Sequence, residues 1–314
     1  MRTCLFCYRH LTNNEQDFHA ACSKKIFGQS TPPILAYSEV DLERLAKEVI
    51  QSRTAVTGVQ AKLSLYIAGD LKKGTENRFT IVGLWGGYIL KPPTALYPQL
   101  PEVEDLTMHL ASAAKIKTAP HCLIRLQSGN LAYITKRIDR TNKKKLAMED
   151  MCQLTERMTE DKYHGSYEQI AKTILKYSGA PGLDVINFFE LVLFSFITGN
   201  ADMHLKNFSL LEQPGLGITL SPAYDLVNTT LVNPADNEEL ALNLNGKKKK
   251  IKKQDFIVAM NTLHVDEKQQ QHIFNKMIKA FPKWIELINE SFLSQEFKVE
   301  YKAIIEERLE RLNC

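Results

Sequence analysis

The sequence predicts an α+β protein of two lobes, the first rich in β-strands and the second helical. Three observations predict it. Between Leu63 and Ile138, short runs rich in β-branched and aromatic residues are separated by Gly, Asn and Asp. After about residue 145, long stretches place apolar residues at helical spacing. The chain has 314 residues, 44% hydrophobic and 24% charged, enough to bury two sizeable cores with a cleft between them.

The elements follow in order. Residues 1–30 form a small Cys- and His-containing segment, and "STPP" reads as a linker. "SEVDLERLAKEVIQ" is a helix, with Ser38 as N-cap and Asp41 three residues on. The β-rich lobe is assigned to 31–140. Its strands are "KLSLYIAG", "RFTIVG", "GYILKPP", "HCLIRLQ" and "LAYITKRID", with "QSGN" as a hairpin turn and one helix over 101–114. The helical lobe is assigned to 141–314. Its helices are "AMEDMCQLTERM", "SYEQIAKTILKYS", "LDVINFFELVLFSFIT", "VDEKQQQHIFNKMIKAFPKWIELINESF" and "VEYKAIIEERLERL". Asn245-Gly246 is a hairpin signal.

Composition excludes several classes. Net charge is +4, from 40 basic and 36 acidic residues, which does not mark a nucleic-acid binder. The longest apolar run, Val185 to Thr198, is too short and carries Glu190, so no membrane span is expected. The N-terminus has no signal-peptide core, and six scattered cysteines do not make a disulfide framework, so a reduced, cytoplasmic setting is expected. The run "KKKKIKK" reads as the solvated tip of the Asn245-Gly246 hairpin rather than a nucleic-acid contact.

The stretch "GNADMHLKNFSLL" carries the chemistry. It follows a buried helix and presents Asp202, His204, Lys206 and Asn207 within six residues, a costly arrangement unless these groups are paired or bind something. Asp202 and Asn207 stand in the D-x-x-x-x-N spacing of a kinase catalytic loop, and Asp225 follows in "SPAYDL". Phosphoryl transfer needs one carboxylate to orient the attacking hydroxyl, with an amide oxygen and a second carboxylate for Mg²⁺. The structural alternative is that Asp202 and Asn207 only cap helices. Lys91 ends an apolar strand, where it would pair with phosphates or with Glu104 on the next helix; the alternative is a surface lysine on an edge strand. At the N-terminus, Cys4, Cys7, His19 and Cys22 have the spacing of a zinc knuckle, and a reduced Cys cluster capped by the histidine fits equally well.

"TGVQAK", "YILKPP", "LPEVEDLTM", "KRIDR", "MEDMCQ", "GNADMHLKNFSLL" and "SPAYDLVNT" occur in an order that resembles the HipA-like kinases, toxins of bacterial toxin–antitoxin modules. The resemblance runs from about residue 50 to the C-terminal helix. It implies a bilobal, protein-kinase-like fold of HipA type and Ser/Thr protein kinase activity with ATP and Mg²⁺. By the same resemblance, Asp202 is the catalytic aspartate and Asn207 and Asp225 the Mg²⁺ ligands. His204, Lys206 and Tyr224 belong to the nucleotide site, and Lys91 is the nucleotide lysine. Thr57, Gly58, Val59, Gln60, Ala61 and Lys62 form the phosphate-covering loop, and Lys136, Arg137 and Ile138 the hinge for adenine. Thr54 and Thr57 are the autophosphorylation candidates. The short leader resembles the compact, HipT-like form. The implied partners are a HipB-like DNA-binding antitoxin, through which any nucleic-acid contact is made, and a small HipS-like protein. The implied substrate is an aminoacyl-tRNA synthetase, with tryptophanyl favoured over glutamyl. The alternatives are a small-molecule or lipid kinase on the same scaffold and a non-catalytic pseudokinase or nucleic-acid adaptor.

Overall fold

The computed structural model describes residues 2–51, 62–68, 77–82, 86–141 and 144–313. They divide into two compact units. The first comprises Met1–Asp105, Ala119–Arg137 and Glu290–Phe292; the second comprises Leu106–Thr118, Ile138–Asn289 and Leu293–Cys314.

The first unit is built on a five-stranded antiparallel sheet of order β2-β1-β3-β5-β4. The strands are β1 (Leu63–Ala68), β2 (Arg78–Ile81), β3 (Tyr88–Lys91), β4 (His121–Arg125) and β5 (Leu131–Lys136). The β4–β5 hairpin closes on the predicted turn, with Gly129 at φ +95° and Leu126 N–H donating to the Asn130 carbonyl at 2.9 Å. Two helices precede the sheet, α1 (Ala20–Phe27) and α2 (Glu39–Gln51). The capping box forms as expected: Asp41 N–H donates to Ser38 Oγ at 3.3 Å, and Ser38 N–H to Asp41 Oδ2 at 3.0 Å. Helix α3 (Leu100–Ala113) falls one residue from the predicted span.

Residues 1–30, expected as a segment of their own, share the core of this unit. Cys4, Leu5, Phe18, Ile26 and Phe27 pack in one cluster with Leu65, Phe79, Leu90 and Cys122 of the sheet. The reason is area: so short a segment cannot bury enough apolar surface alone. It also covers an open sheet edge, since Leu123 N–H of β4 donates to the Leu5 carbonyl at 3.1 Å.

The second unit is mainly helical: α4 (Met151–Leu154), α5 (Tyr167–Tyr177), α6 (Pro181–Ile197), α7 (Thr229–Val232), α8 (Lys253–Thr262), α9 (Glu267–Glu290) and α10 (Gln295–Arg311). Helix α6 is the apolar run; Phe188, Phe189, Phe194 and Phe196 are fully buried, each worth about 3–5 kcal/mol against Ala. Of its two buried carboxylates, Asp184 accepts from Ser178 Oγ and Leu220 N–H, and Glu190 is paired with Lys276 of α9. Trp284 is core as well, its indole N–H donating to the Leu110 carbonyl at 2.8 Å. Among the described residues no helix is long and apolar enough to cross a membrane.

One local reading differs from the structure. The stretch 147–158 was expected as one helix, but it holds strand β6 (Met148–Asp150) and then only α4. Asp150 sets the break: its side chain accepts from Gln153 N–H, while the Gln153 side chain accepts from Asp150 N–H. Strand β6 joins β7 (Ser209–Gln213) and β8 (Gly217–Leu220) in a three-stranded antiparallel sheet within the helical unit. The Asn245-Gly246 turn forms with both residues at positive φ, and Leu244 and Lys247 exchange backbone hydrogen bonds. Lys247 and Lys248 pair with Asp255 and Glu238.

Candidate functional site

Helix α6 delivers the chain to a tight turn at Gly199. Its φ is +71°, and a Cβ there would meet Asn228 Oδ1 at 2.6 Å, so glycine is required on both counts. Beyond it the loop is braced by the first turn of α7: Ala201 N–H donates to Thr229 Oγ1 at 2.8 Å, and Thr230 N–H to the Gly199 carbonyl at 3.0 Å. A 3-10 turn over Leu205–Asn207 then leads into β7.

Within this loop the predicted residues come together. Asn207 Nδ2 donates to the Asp202 main-chain carbonyl at 2.9 Å, which fixes the amide and sets its Oδ1 as the acceptor left for another group. His204 is buried. Burial pushes its imidazole below the ordinary pKa; Asp202 and Asp225 pull it upward, Lys162 pulls it down, and burial wins. Both carboxylates thus act on one buried imidazole. The His204 Nδ1 atom has no hydrogen-bond partner among the described residues. Asp225 takes φ +60°, a left-handed conformation that costs about 1–3 kcal/mol in a non-glycine residue and clusters at functional sites. Two carboxylates and an amide oxygen are hard donors, the set that Mg²⁺ prefers.

Three residues do other work than expected, or work the sequence did not assign. Lys206 donates to Asp150 Oδ2 at 3.0 Å and so ties the loop to the "MED" segment. The Tyr224 hydroxyl is spent on Ser209 Oγ and on the Lys206 carbonyl, so Tyr224 supports the loop rather than presenting its hydroxyl to a nucleotide. Tyr163 was not singled out. Its hydroxyl donates to Asp202 Oδ1 at 2.6 Å, and its ring stands edge-on to His204 with centroids 5.0 Å apart. Burial, then the Asp202 carboxylate, pushes the phenol far above its ordinary pKa, so it remains a donor. A lone aromatic in the polar stretch "MTEDKYHGS" was the available signal.

In the first unit, Lys91 lies on the central strand β3, not on an edge. Its ammonium meets Glu104 Oε1 of α3 at 2.6 Å, with side-chain exposures of 5% and 1%. The strand-lysine and helix-glutamate pair expected from sequence is therefore formed. At the hinge, Lys136 N–H donates to the Pro120 carbonyl at 2.8 Å and Arg137 N–H to the Gly87 carbonyl at 2.9 Å. Ile138 N–H is the donor of the three with no acceptor among the described residues. Of the phosphate-covering loop only Lys62 is described, and it is exposed; Thr54, Thr57, Gly58, Val59, Gln60 and Ala61 lie outside the described residues. The N-terminal ligand set does converge: one ligand atom from each of Cys4, Cys7, His19 and Cys22 lies within 4.8 Å of the others.

The sequence is similar to curated proteins named as putative kinases. "Putative kinase Y4dM" of Sinorhizobium fredii (strain NGR234) is 33% identical over 190 residues, 56% of this chain and 45% of the relative. A "Putative kinase" of Haemophilus influenzae is 29% identical over 194 residues, 57% of this chain and 54% of the relative. The chain spans about half the length of the curated relatives it matches. Among solved structures, HipA in the toxin–antitoxin complex of HipA, HipB and operator DNA from Shewanella oneidensis MR-1 shares the fold. The TM-score is 0.68 at 22% identity, covering 85% of this chain and 71% of that one. The Helicobacter pylori proinflammatory kinase CtkA aligns with TM-score 0.52 at 15% identity over 72% of this chain and 87% of its own. The fold is thus α+β and of the HipA type. The model of the HipA-like C-terminal domain matches residues 54–285, most of the sequence, and the chain belongs to that family.

Proposed function

We propose that this chain is an ATP- and Mg²⁺-dependent serine/threonine protein kinase and the toxin of a HipA-type toxin–antitoxin module. What carries the reading is the loop after α6. Its Asn207 amide is locked onto the Asp202 main chain, its Asp202 carboxylate is steadied by Tyr163, and both Asp202 and Asp225 act on the buried His204. A pair of helix caps would not need this convergence.

Asp202 orients the acceptor hydroxyl and takes its proton through the carboxylate oxygen that Tyr163 leaves uncommitted. Asn207 Oδ1 and the Asp225 carboxylate hold Mg²⁺, whose contribution is to neutralise phosphate charge. Lys91, aligned by Glu104, serves the nucleotide phosphates, and the hinge contact for adenine falls to Ile138 N–H. Positioning and charge neutralisation supply most of the acceleration, because the hydroxyl needs little covalent help. Thr54 and Thr57 are the proposed autophosphorylation sites.

The substrate is an aminoacyl-tRNA synthetase, tryptophanyl first and glutamyl second, and its phosphorylation inhibits translation. The partners are a HipB-like antitoxin, as HipB accompanies HipA in the Shewanella complex, and a small HipS-like protein. The setting is cytoplasmic.

The test is phosphoproteomics of cells briefly expressing the wild type beside Asp202→Asn. A synthetase phosphosite present only with the wild type is expected. Label from ATP entering only a small acceptor would favour a small-molecule kinase, and no transfer at all would favour a pseudokinase.

A further inference from the structure

We propose that Cys4, Cys7, Cys22 and His19 Nδ1 bind one structural zinc ion that fastens the N-terminal residues over the open edge of strand β4. The inference is independent of the kinase reading.

The first support is spacing. His19 Nδ1 lies 3.4 Å from Cys7 Sγ and 3.7 Å from Cys22 Sγ. Zinc bound tetrahedrally, with Zn–S about 2.3 Å and Zn–N about 2.0–2.1 Å, sets sulfur–nitrogen edges of about 3.5 Å. The ligand atoms come from three places in the chain: the turn at Cys4 and Cys7, the residue before α1, and the first turn of α1.

The second support is the tautomer. His19 Nε2 faces the His10 carbonyl at 3.0 Å, and a carbonyl can only accept. The proton therefore sits on Nε2, and the Nδ1 lone pair faces the thiols. This is the outer hydrogen bond that a metal-bound histidine uses to fix its ring. Glu15 Oε2 stands 4.0 Å from the same Nε2.

The third support is the turn. Tyr8 N–H donates to the Cys4 carbonyl at 3.0 Å, and Tyr8 takes φ +61° immediately after Cys7. A left-handed tyrosine needs compensation. Part of it comes from the Tyr8 hydroxyl, which donates to Asp105 Oδ2 at 2.7 Å. An ion joining both cysteines would supply the rest. Three thiols around one imidazole offer only weak S–H donors by themselves.

Four protein ligands leave no open position, so the ion is structural. Its consequence is local. The turn it organises carries Leu5, whose carbonyl accepts from Leu123 N–H of β4 and whose N–H donates to the Asp17 carbonyl at 2.8 Å, and Asp17 in turn pairs with Arg125 at 2.9 Å. Without the ion the edge of β4 loses its cover.

The experiment uses the full chain, expressed with zinc in the medium and purified without chelator. Mass-spectrometric metal analysis is expected to give about one zinc per chain, released when a mercurial titrates the thiols. Replacement by Co²⁺ is expected to give tetrahedral visible bands and thiolate charge transfer in the near ultraviolet. His19→Cys keeps the metal and strengthens the charge transfer; Cys7→Ser loses the metal, whereas Cys152→Ser keeps it. Hydrogen exchange is expected to show the Leu123 amide losing protection when the ion is removed. Metal-free protein that gives no thiolate charge transfer with Co²⁺ would overturn the site, and so would an iron–sulfur spectrum. Unchanged Leu123 protection without the ion would overturn its role at the edge. Should Cys7→Ser prove insoluble, the cobalt spectrum of the wild type decides alone.

Discussion

The Cys4–Cys22 cluster and the loop carrying Asp202 both gather metal-type ligands, yet they are built on opposite plans. The first is three sulfurs and an imidazole nitrogen, drawn within 4.8 Å, with its histidine already anchored by an outer carbonyl. The second is oxygen-rich and incomplete: Asp202 is half-exposed, the Asn207 amide is fixed by one end only, and His204 Nδ1 is buried without a partner among the described residues. Ligand softness selects the ion, and completeness selects the role. A closed set holds chain together; an open set leaves valences for something that comes and goes. The Lys91–Glu104 pair is a third arrangement, two buried opposite charges in contact at 2.6 Å.

The sharpest way to break this contrast is Asp202→Asn. Phosphoryl transfer is expected to fall by about 10²–10⁴-fold, read by label transfer from ATP, while zinc content stays unchanged. A retained rate would remove the reactive half of the comparison. Next in size is Lys91→Met, which removes the ammonium that meets the buried Glu104 and is expected to cost about 3–5 kcal/mol in denaturant unfolding. Adding Glu104→Gln should return part of that loss; no recovery would mean that the two charges do not stabilise one another. Tyr163→Phe removes one hydrogen bond to the Asp202 carboxylate. A drop of roughly 10-fold in turnover, with KM for ATP unchanged, is the expected result, since such a bond is worth about 1.5 kcal/mol or more. Loss of stability alone would make Tyr163 a packing residue.

The smallest effect belongs to the hairpin. Burial raises the Asp255 pKa, but Lys247 and Asn245 outweigh it and hold the carboxyl below its ordinary value. A depressed carboxylate contributes stability above the unfolded pKa of about 3.9 and loses it as pH falls through the lower folded value. Asp255→Asn should therefore flatten the acid limb of a stability profile below about pH 4 and cost about 1 kcal/mol at neutral pH. An unchanged acid limb would show that the charge of Asp255 contributes nothing there.

Much of this was legible along the chain. The Ser38–Asp41 box, the apolar face of α6, the Asn245-Gly246 turn and the Lys91–Glu104 pair each depend on residues whose spacing is short or whose chemistry admits few partners. The three-stranded sheet was not legible. Its strands are three to five residues long, and β6 pairs with a strand some sixty positions away through Asp150 and Ser209. Helical spacing over 147–158 was real but was interrupted by the Asp150 cap. The roles of Tyr224 and Tyr163 were hidden for a related reason: a hydroxyl in a sequence does not say which carbonyl or carboxylate it will meet.

By itself the sequence determined which ions and chemistries are available: three thiols and a histidine at knuckle spacing, and two carboxylates and an amide placed after a buried helix. Tertiary structure alone decided that His19 turns Nδ1 toward the thiols, that Leu5 covers the edge of β4, and that Tyr163 reaches Asp202 across 39 residues. The physical reason is range. Helix and turn preferences act between residues two to four positions apart, whereas these contacts form only after a whole core has fixed the path of the chain.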